Sequence, residues 1–218
     1  MSAHELILLV HLLGWVFWLG TDVGVFLGAK VFERADLSVE TRMKVLELGM
    51  VLDRFPRFSM PVVWLTGVLL MNDLGYTVIA APLAFAATLV WLVVTWMLVF
   101  KPPGGPAYIR AAIAQMGILA AVILGMGGYA IYGLASEQLP LWLALKWLAF
   151  VLVGITVLAL EKTFAPLGPL LGELAEQGAS DDLNGRISRV LAPVYPIVLA
   201  IYLWTLLAAA SGVSKITG

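Results

Sequence analysis

The sequence predicts an all-α fold, a polytopic membrane bundle of six transmembrane helices. Three observations carry this. Hydrophobic residues make up 61% of the chain and charged residues only 12%, about half the charge of an ordinary soluble domain. Apolar runs recur along the whole chain, each near the roughly 20 residues a helix needs to cross a bilayer. The basic residues collect in alternate connections, as they do when one face of a membrane protein is cytoplasmic. Mean hydropathy is +0.98, which agrees. A net charge of −1 gives no reason to expect nucleic acid as a partner. The absence of cysteine excludes disulfides, thiolate metal sites and cysteine nucleophiles.

The six expected spans are roughly 5–29, 56–75, 78–100, 107–134, 139–161 and 188–211. The first has no basic leader and no small-residue cleavage site, and it is too long for a signal peptide, so it is read as a span. The connection after it holds Lys30, Arg34, Arg42, Lys44, Arg54 and Arg57. The third connection holds Lys101 and Arg110, and the fifth holds Lys162, Arg186 and Arg189. The turns "NDLGY" and "ASEQ" hold no basic residue. Eleven of the thirteen basic residues therefore fall on one side, which the positive-inside rule makes cytoplasmic. Both termini, with Lys215, are then expected outside: N-out and C-out in a bacterial inner membrane. "ERADLSVETRMKVLELG" has helical spacing and mixed charge and reads as an interfacial helix. "GELAEQGASDDLNGR" reads as acidic and turn-rich.

A shift of 132 residues aligns Trp15 with Trp147, Lys30 with Lys162, Phe32 with Phe164, and "RFPRFSMPV" with "RISRVLAPV". Spans one–two and five–six thus read as a parallel repeat about an axis along the membrane normal, an arrangement that tends to place a site at the repeat interface. The chain is expected to form one membrane domain, 1–218. Within it, 1–75 is the first repeat hairpin, 76–136 an inserted hairpin and 137–218 the second repeat hairpin.

Ionisable residues inside spans are costly and usually face a cavity or a partner. At about 100° per residue, His4, His11 and Asp22 fall near one line of the first span, and Trp15 and Trp18 share that stripe. Lys146 lies at a depth similar to His11, and the repeat register sets it opposite Gly14. A pocket in the outer half of the membrane follows, walled by spans one and five. Several alternatives stand beside each role. His4 reads as a solvated surface residue before it reads as a metal ligand. His11 reads as a ligand for a metal or as a core histidine bonded to the backbone. Lys146 reads as a site residue or as a snorkelling one. Asp22 reads as a proton carrier or as a structural partner of Arg54 or Arg57. Trp15 and Trp18 suit a flat ligand or plain packing. Methionines within the spans, Met71 and Met126 among them, pair with imidazole as soft donors for Cu(I), although no Met-x-x-Met cluster exists.

With these residues in place, the chain resembles the HemJ-type protoporphyrinogen oxidases and the related CopD-like copper resistance membrane proteins. The similarity lies in His11 with Trp18 seven residues on and Gly20 behind. It continues in Arg54, Arg57 and Pro61 entering the second span, in Trp142, Leu143 and Lys146 opening the fifth, and in Arg189 and Pro193 opening the last. Ala144 stands where the family pattern has histidine, and the Asn-Glu pair before the last proline is absent. The match covers spans one, two, five and six. The resemblance implies a b-type haem or porphyrin site and a haem-dependent oxidoreductase. In such a site His11 would hold haem iron and Trp15, Trp18 and Lys146 would bind the cofactor. His4 is a subsidiary metal candidate, and Lys146 and Asp22 would be the groups that move protons. A membrane electron carrier, a larger membrane complex or a second copy of the chain would be partners within the lipid bilayer. Two other functions fit the same sequence: a transporter of copper or another small solute, and an accessory subunit of a larger membrane enzyme.

Overall fold

The computed structural model describes residues 1–76 and 79–214. Val78, the expected start of the third span, and Lys215 lie outside the described residues. The described chain is all α-helical. Helix α1 runs Ala3–Phe32, α2 Val39–Leu52, α3 Arg54–Asp73, α4 Ala81–Phe100 and α5 Pro106–Ala135. Then come α6 Leu141–Phe164, α7 Leu167–Gln177, α8 Asp181–Leu191 and α9 Val194–Ser214. Five segments are long and apolar enough to cross a bilayer: Ala3–Phe32, Ala81–Phe100, Pro106–Ala135, Leu141–Gln177 and Asp181–Val213. The second expected span corresponds to α3. It carries Arg54, Arg57 and Asp73 and is less apolar, but it buries Met60, Val63, Trp64, Val68 and Met71 among its neighbours.

Local sequence explains most of the boundaries. Ser2 accepts from the Glu5 backbone N–H while Glu5 reaches back to Ser2, a capping box that fixes where α1 starts. Ser38 and Ser180 cap α2 and α8 in the same way through their hydroxyls. Pro82 and Pro106 sit in the first turns of α4 and α5, where a missing N–H costs nothing.

Two expectations need correction on the basic side. The segment read as acidic and turn-rich is helical on both sides of Gly178, whose φ of 80° supplies the left-handed turn. Leu167, Leu170 and Leu174 on α7 and Leu183, Ile187 and Leu191 on α8 recur at helical spacing and bury together with Phe32. The last expected span, 188–211, lies within Asp181–Val213 but is not one helix. Arg189 belongs to α8, and the chain breaks at Ala192–Pro193 before α9, where Pro193 has no N–H to bond back to Arg189 and its ring crowds that carbonyl. Pro61, its counterpart at the 132-residue shift, lies inside α3. Arg42 joins this small core without exposure. Its Nε donates to the Phe32 carbonyl at 2.7 Å and its Nη1 to Asn184 Oδ1 at 2.8 Å, tying α2 to α1 and α8.

The bundle closes as a ring. α1 packs on α3 and α6 on α9; α3, α4, α5 and α6 follow one another side by side, and α1 meets α9. Gly14 lets α1 approach α3, since a Cβ there would stand 2.7 Å from Val63 Cγ2.

Candidate functional site

The stripe on α1 faces the interior of the ring, where two cavities divide its residues. The first, of about 330 Å³, lies between the start of α1, the end of α3, the start of α6 and the end of α9. His4, His11, Trp15 and Lys146 line it, together with Trp64, Met71, Met126, Trp142, Trp147 and Phe150. The second, of about 130 Å³, lies toward the basic end and is lined by Trp18 and Asp22. Trp15 and Trp18 stack with ring centroids 5.4 Å apart and planes 8° apart, forming the partition between the two. Trp18 is held by an edge contact with Phe150 on α6, 6.1 Å between centroids.

His11 is buried at 4% exposure, and both of its ring nitrogens are engaged. Trp15 Nε1, one turn later on α1, donates to His11 Nε2 at 3.1 Å. His11 Nδ1 stands 2.9 Å from the Thr66 hydroxyl on α3, and that hydroxyl lies 2.7 Å from the Val62 carbonyl. An indole N–H only donates, so Nε2 must accept and Nδ1 must carry the proton. The chain of bonds then runs in one direction: Trp15 to His11, His11 to Thr66, Thr66 to Val62. This arrangement holds a neutral imidazole. A protonated one would turn Nε2–H against the indole N–H. Gly67 on α3 lies against the ring; a Cβ there would stand 3.5 Å from His11 Cε1, an ordinary contact.

Lys146 shares the cavity wall and lies within Coulombic reach of His11. Its ammonium makes no hydrogen bond or ion pair among the described residues. Nζ occupies space left by Gly212 on α9, where a Cβ would be only 2.8 Å away. His4 sits at the rim, half-exposed, with Nδ1 against the Asp73 carboxylate at the end of α3. Ala144 is fully buried and is not part of the cavity lining.

Asp22 pairs with neither Arg54 nor Arg57. Arg54 lies over the Phe100 ring, 5.4 Å from its centroid. Arg57 binds Asp53 at 2.5 Å and Glu161 at 3.0 Å. Asp22 instead faces the buried Tyr202 hydroxyl on α9, its polar partner.

Thr66, Gly14 and Gly212 support the site as a hydroxyl partner and two close approaches, and the sequence reading assigned them no such role. Thr66 had a signal, as a hydroxyl in an apolar run, but such hydroxyls usually bond back to their own helix, as Thr88, Thr156 and Thr163 do here. The glycines gave none, because their value lies in what another helix places against them. Among the described residues, no group of three His, Asp or Glu side chains could hold a metal ion. Compared with protein-family models, curated proteins and solved structures, the chain matches none.

Proposed function

We propose that the protein is a six-span redox protein of the bacterial inner membrane that binds a porphyrin or haem b in the cavity between α1, α3 and α6. In this reading α3 is the sixth span, both termini face outward, and the cavity lies in the outer half of the bilayer. The hairpins α1–α3 and α6–α9 are the two halves of a parallel repeat. The observation that carries the proposal is one mainly apolar cavity with aromatic walls, a buried imidazole at His11, a second at the His4 rim, and an ammonium without an ion pair among the described residues. A flat macrocycle with carboxylate arms asks for that combination: tryptophan faces for the ring, Lys146 for a carboxylate, and exclusion of water by the surrounding Leu, Val and Phe.

The donor set fits a porphyrin's plane and acid groups more directly than it fits an iron. The His11 lone pair is taken by Trp15 Nε1–H. His11 would therefore hold a haem iron only if Trp15 withdrew, and Thr66 would then keep the imidazole oriented through its Nδ1–H. A cavity of about 330 Å³ is at the low end of small-molecule sites, roughly 300–1,000 Å³, so movement of Trp15 also supplies room. When bound, haem would contribute one-electron chemistry. The chain's own part is to bind, orient and keep dry, with a membrane electron carrier or a larger membrane complex as partner.

The test is the absorption spectrum of the protein purified in mild detergent, oxidised and then dithionite-reduced, beside His11→Ala. A Soret band with reduced α and β bands, lost in the variant, supports haem on His11. A protein that stays colourless after haem is supplied during expression overturns the proposal. One observation favours copper transport as a second reading: Met71 and Met126 line the same cavity as His4 and His11, and thioethers with imidazole select Cu(I). Metal analysis of the colourless protein decides for or against it.

A further inference from the structure

The second cavity uses residues that a ligand in the first does not touch. Its walls bring three carboxylates and one guanidinium together inside the bundle: Asp22 from α1, Asp53 from the α2–α3 joint, Glu161 from α6 and Arg57 from α3. Arg57 is committed to Asp53 and Glu161. Asp22 forms no ion pair among the described residues, and it lies about 16 Å along α1 from His11 at 1.5 Å per residue. An ionised carboxylate so placed in a membrane is costly, and protonation removes the cost.

Independent observations mark this cavity as a place for small polar guests. Thr95 on α4 is 2% exposed and lines the cavity, and its hydroxyl makes no hydrogen bond among the described residues. Gln115 Oε1 on α5, also on the cavity wall, is buried and unpartnered among the described residues. Buried polar atoms are almost always satisfied, and water is the usual partner where protein supplies none. About 130 Å³ has room for several waters. A metal cation suits the cavity less well. Arg57 stands on its wall, and among the described residues no group of three His, Asp or Glu side chains could hold a metal ion.

We propose that this cavity is a proton-exchange site: water fills it from the basic face of the bundle, and Asp22 takes up and releases a proton through that water. In uptake, hydronium gives its proton to an Asp22 carboxylate oxygen and becomes water; release is the reverse. The charged and titratable groups facing Asp22 are Asp53, Arg57, Glu161, Tyr108 on α5 and Tyr202. Arg57 is committed to Asp53 and Glu161, so the carboxylate left for the exchangeable proton is Asp22. The proposal does not depend on what occupies the first cavity.

Infrared spectroscopy of the purified full chain at neutral pH reads this without a chromophore. The expected result is a protonated-carboxyl C=O band that shifts within the mixing time when water is replaced by D2O. It should weaken as pH is raised and be lost in Asp22→Asn. Asp22→Glu should keep the band at a displaced frequency, and this assigns it even where Asp22→Asn fails to fold. A band that is absent, that survives Asp22→Asn, that does not move in Asp22→Glu or that resists D2O overturns the proposal. A band removed by sodium at constant pH also overturns it, in favour of a cation site.

Discussion

At the scale of single residues, the central fact is that the His11 lone pair is already used. The chain runs Trp15–His11–Thr66, and the Thr66 hydroxyl is shared between the Val62 and Val63 carbonyls, at 2.7 and 3.2 Å. Removing its first member tests whether the indole is a latch or a wall. Trp15→Phe keeps an aromatic ring and deletes the N–H, leaving His11 Nε2 buried and unsatisfied. That should cost about 1–3 kcal/mol in thermal or denaturant unfolding. If His11 is a ligand, the same change should strengthen haem or Cu(I) binding, because the competing donor is gone. A variant that is destabilised and binds neither would show that the chain serves packing alone. The importance of His11 could be read from the sequence, since a histidine in an apolar run demands a partner. Its state could not be read there. The partner Thr66 is 55 residues away, and only the α1–α3 contact brings the two together.

At the scale of elements, hydrophobic runs located the helices because a membrane helix must satisfy its backbone internally and expose apolar side chains. Capping and proline then refined the ends. What stayed hidden was the pair α7–α8. Their leucines are spaced for burial, but Glu173, Glu176, Asp181 and Asp182 between them dominate the composition. The helices form because Phe32 and α2 supply the rest of their core. Close helix contacts were equally hidden and are equally testable. Gly14→Ala places a Cβ 2.7 Å from Val63 Cγ2. Valine has one stiff χ1 and cannot step aside, so α1 must move away from α3. The expected cost is about 1–3 kcal/mol, with disturbance of the His11–Thr66 bond that spans the same contact. Adding Val63→Ala should restore much of the loss, and a double variant no better than Gly14→Ala would refute this account of the contact.

At the scale of the molecule, the stacked Trp15 and Trp18 separate an aromatic, imidazole-bearing cavity from a carboxylate-rich one, and the two lie toward opposite ends of the ring. Their sidedness rests on the basic residues. Lys30, Arg34, Arg42, Lys44, Arg54, Arg57, Arg186 and Arg189 gather around α2, α7, α8 and the adjoining helix ends, while the turns at 74–76 and 136–140 carry none. If that cluster faces the cytoplasm, the Asp22 cavity draws its protons from the cytoplasm and the His11 cavity receives ligand from the outer side. The chain has no cysteine, so single cysteines report sidedness against a silent background. Gln138 precedes α6 and Glu176 lies on α7; both are exposed. In intact cells a membrane-impermeant thiol reagent should label Gln138→Cys at once. Glu176→Cys should be labelled only after the membrane is opened. The reverse pattern would invert the bundle, put the His11 cavity on the cytoplasmic side and make the Asp22 cavity face the acidic outer space. Labelling of both in intact cells would mean that the two ends share one side, which a ring of membrane-crossing helices forbids.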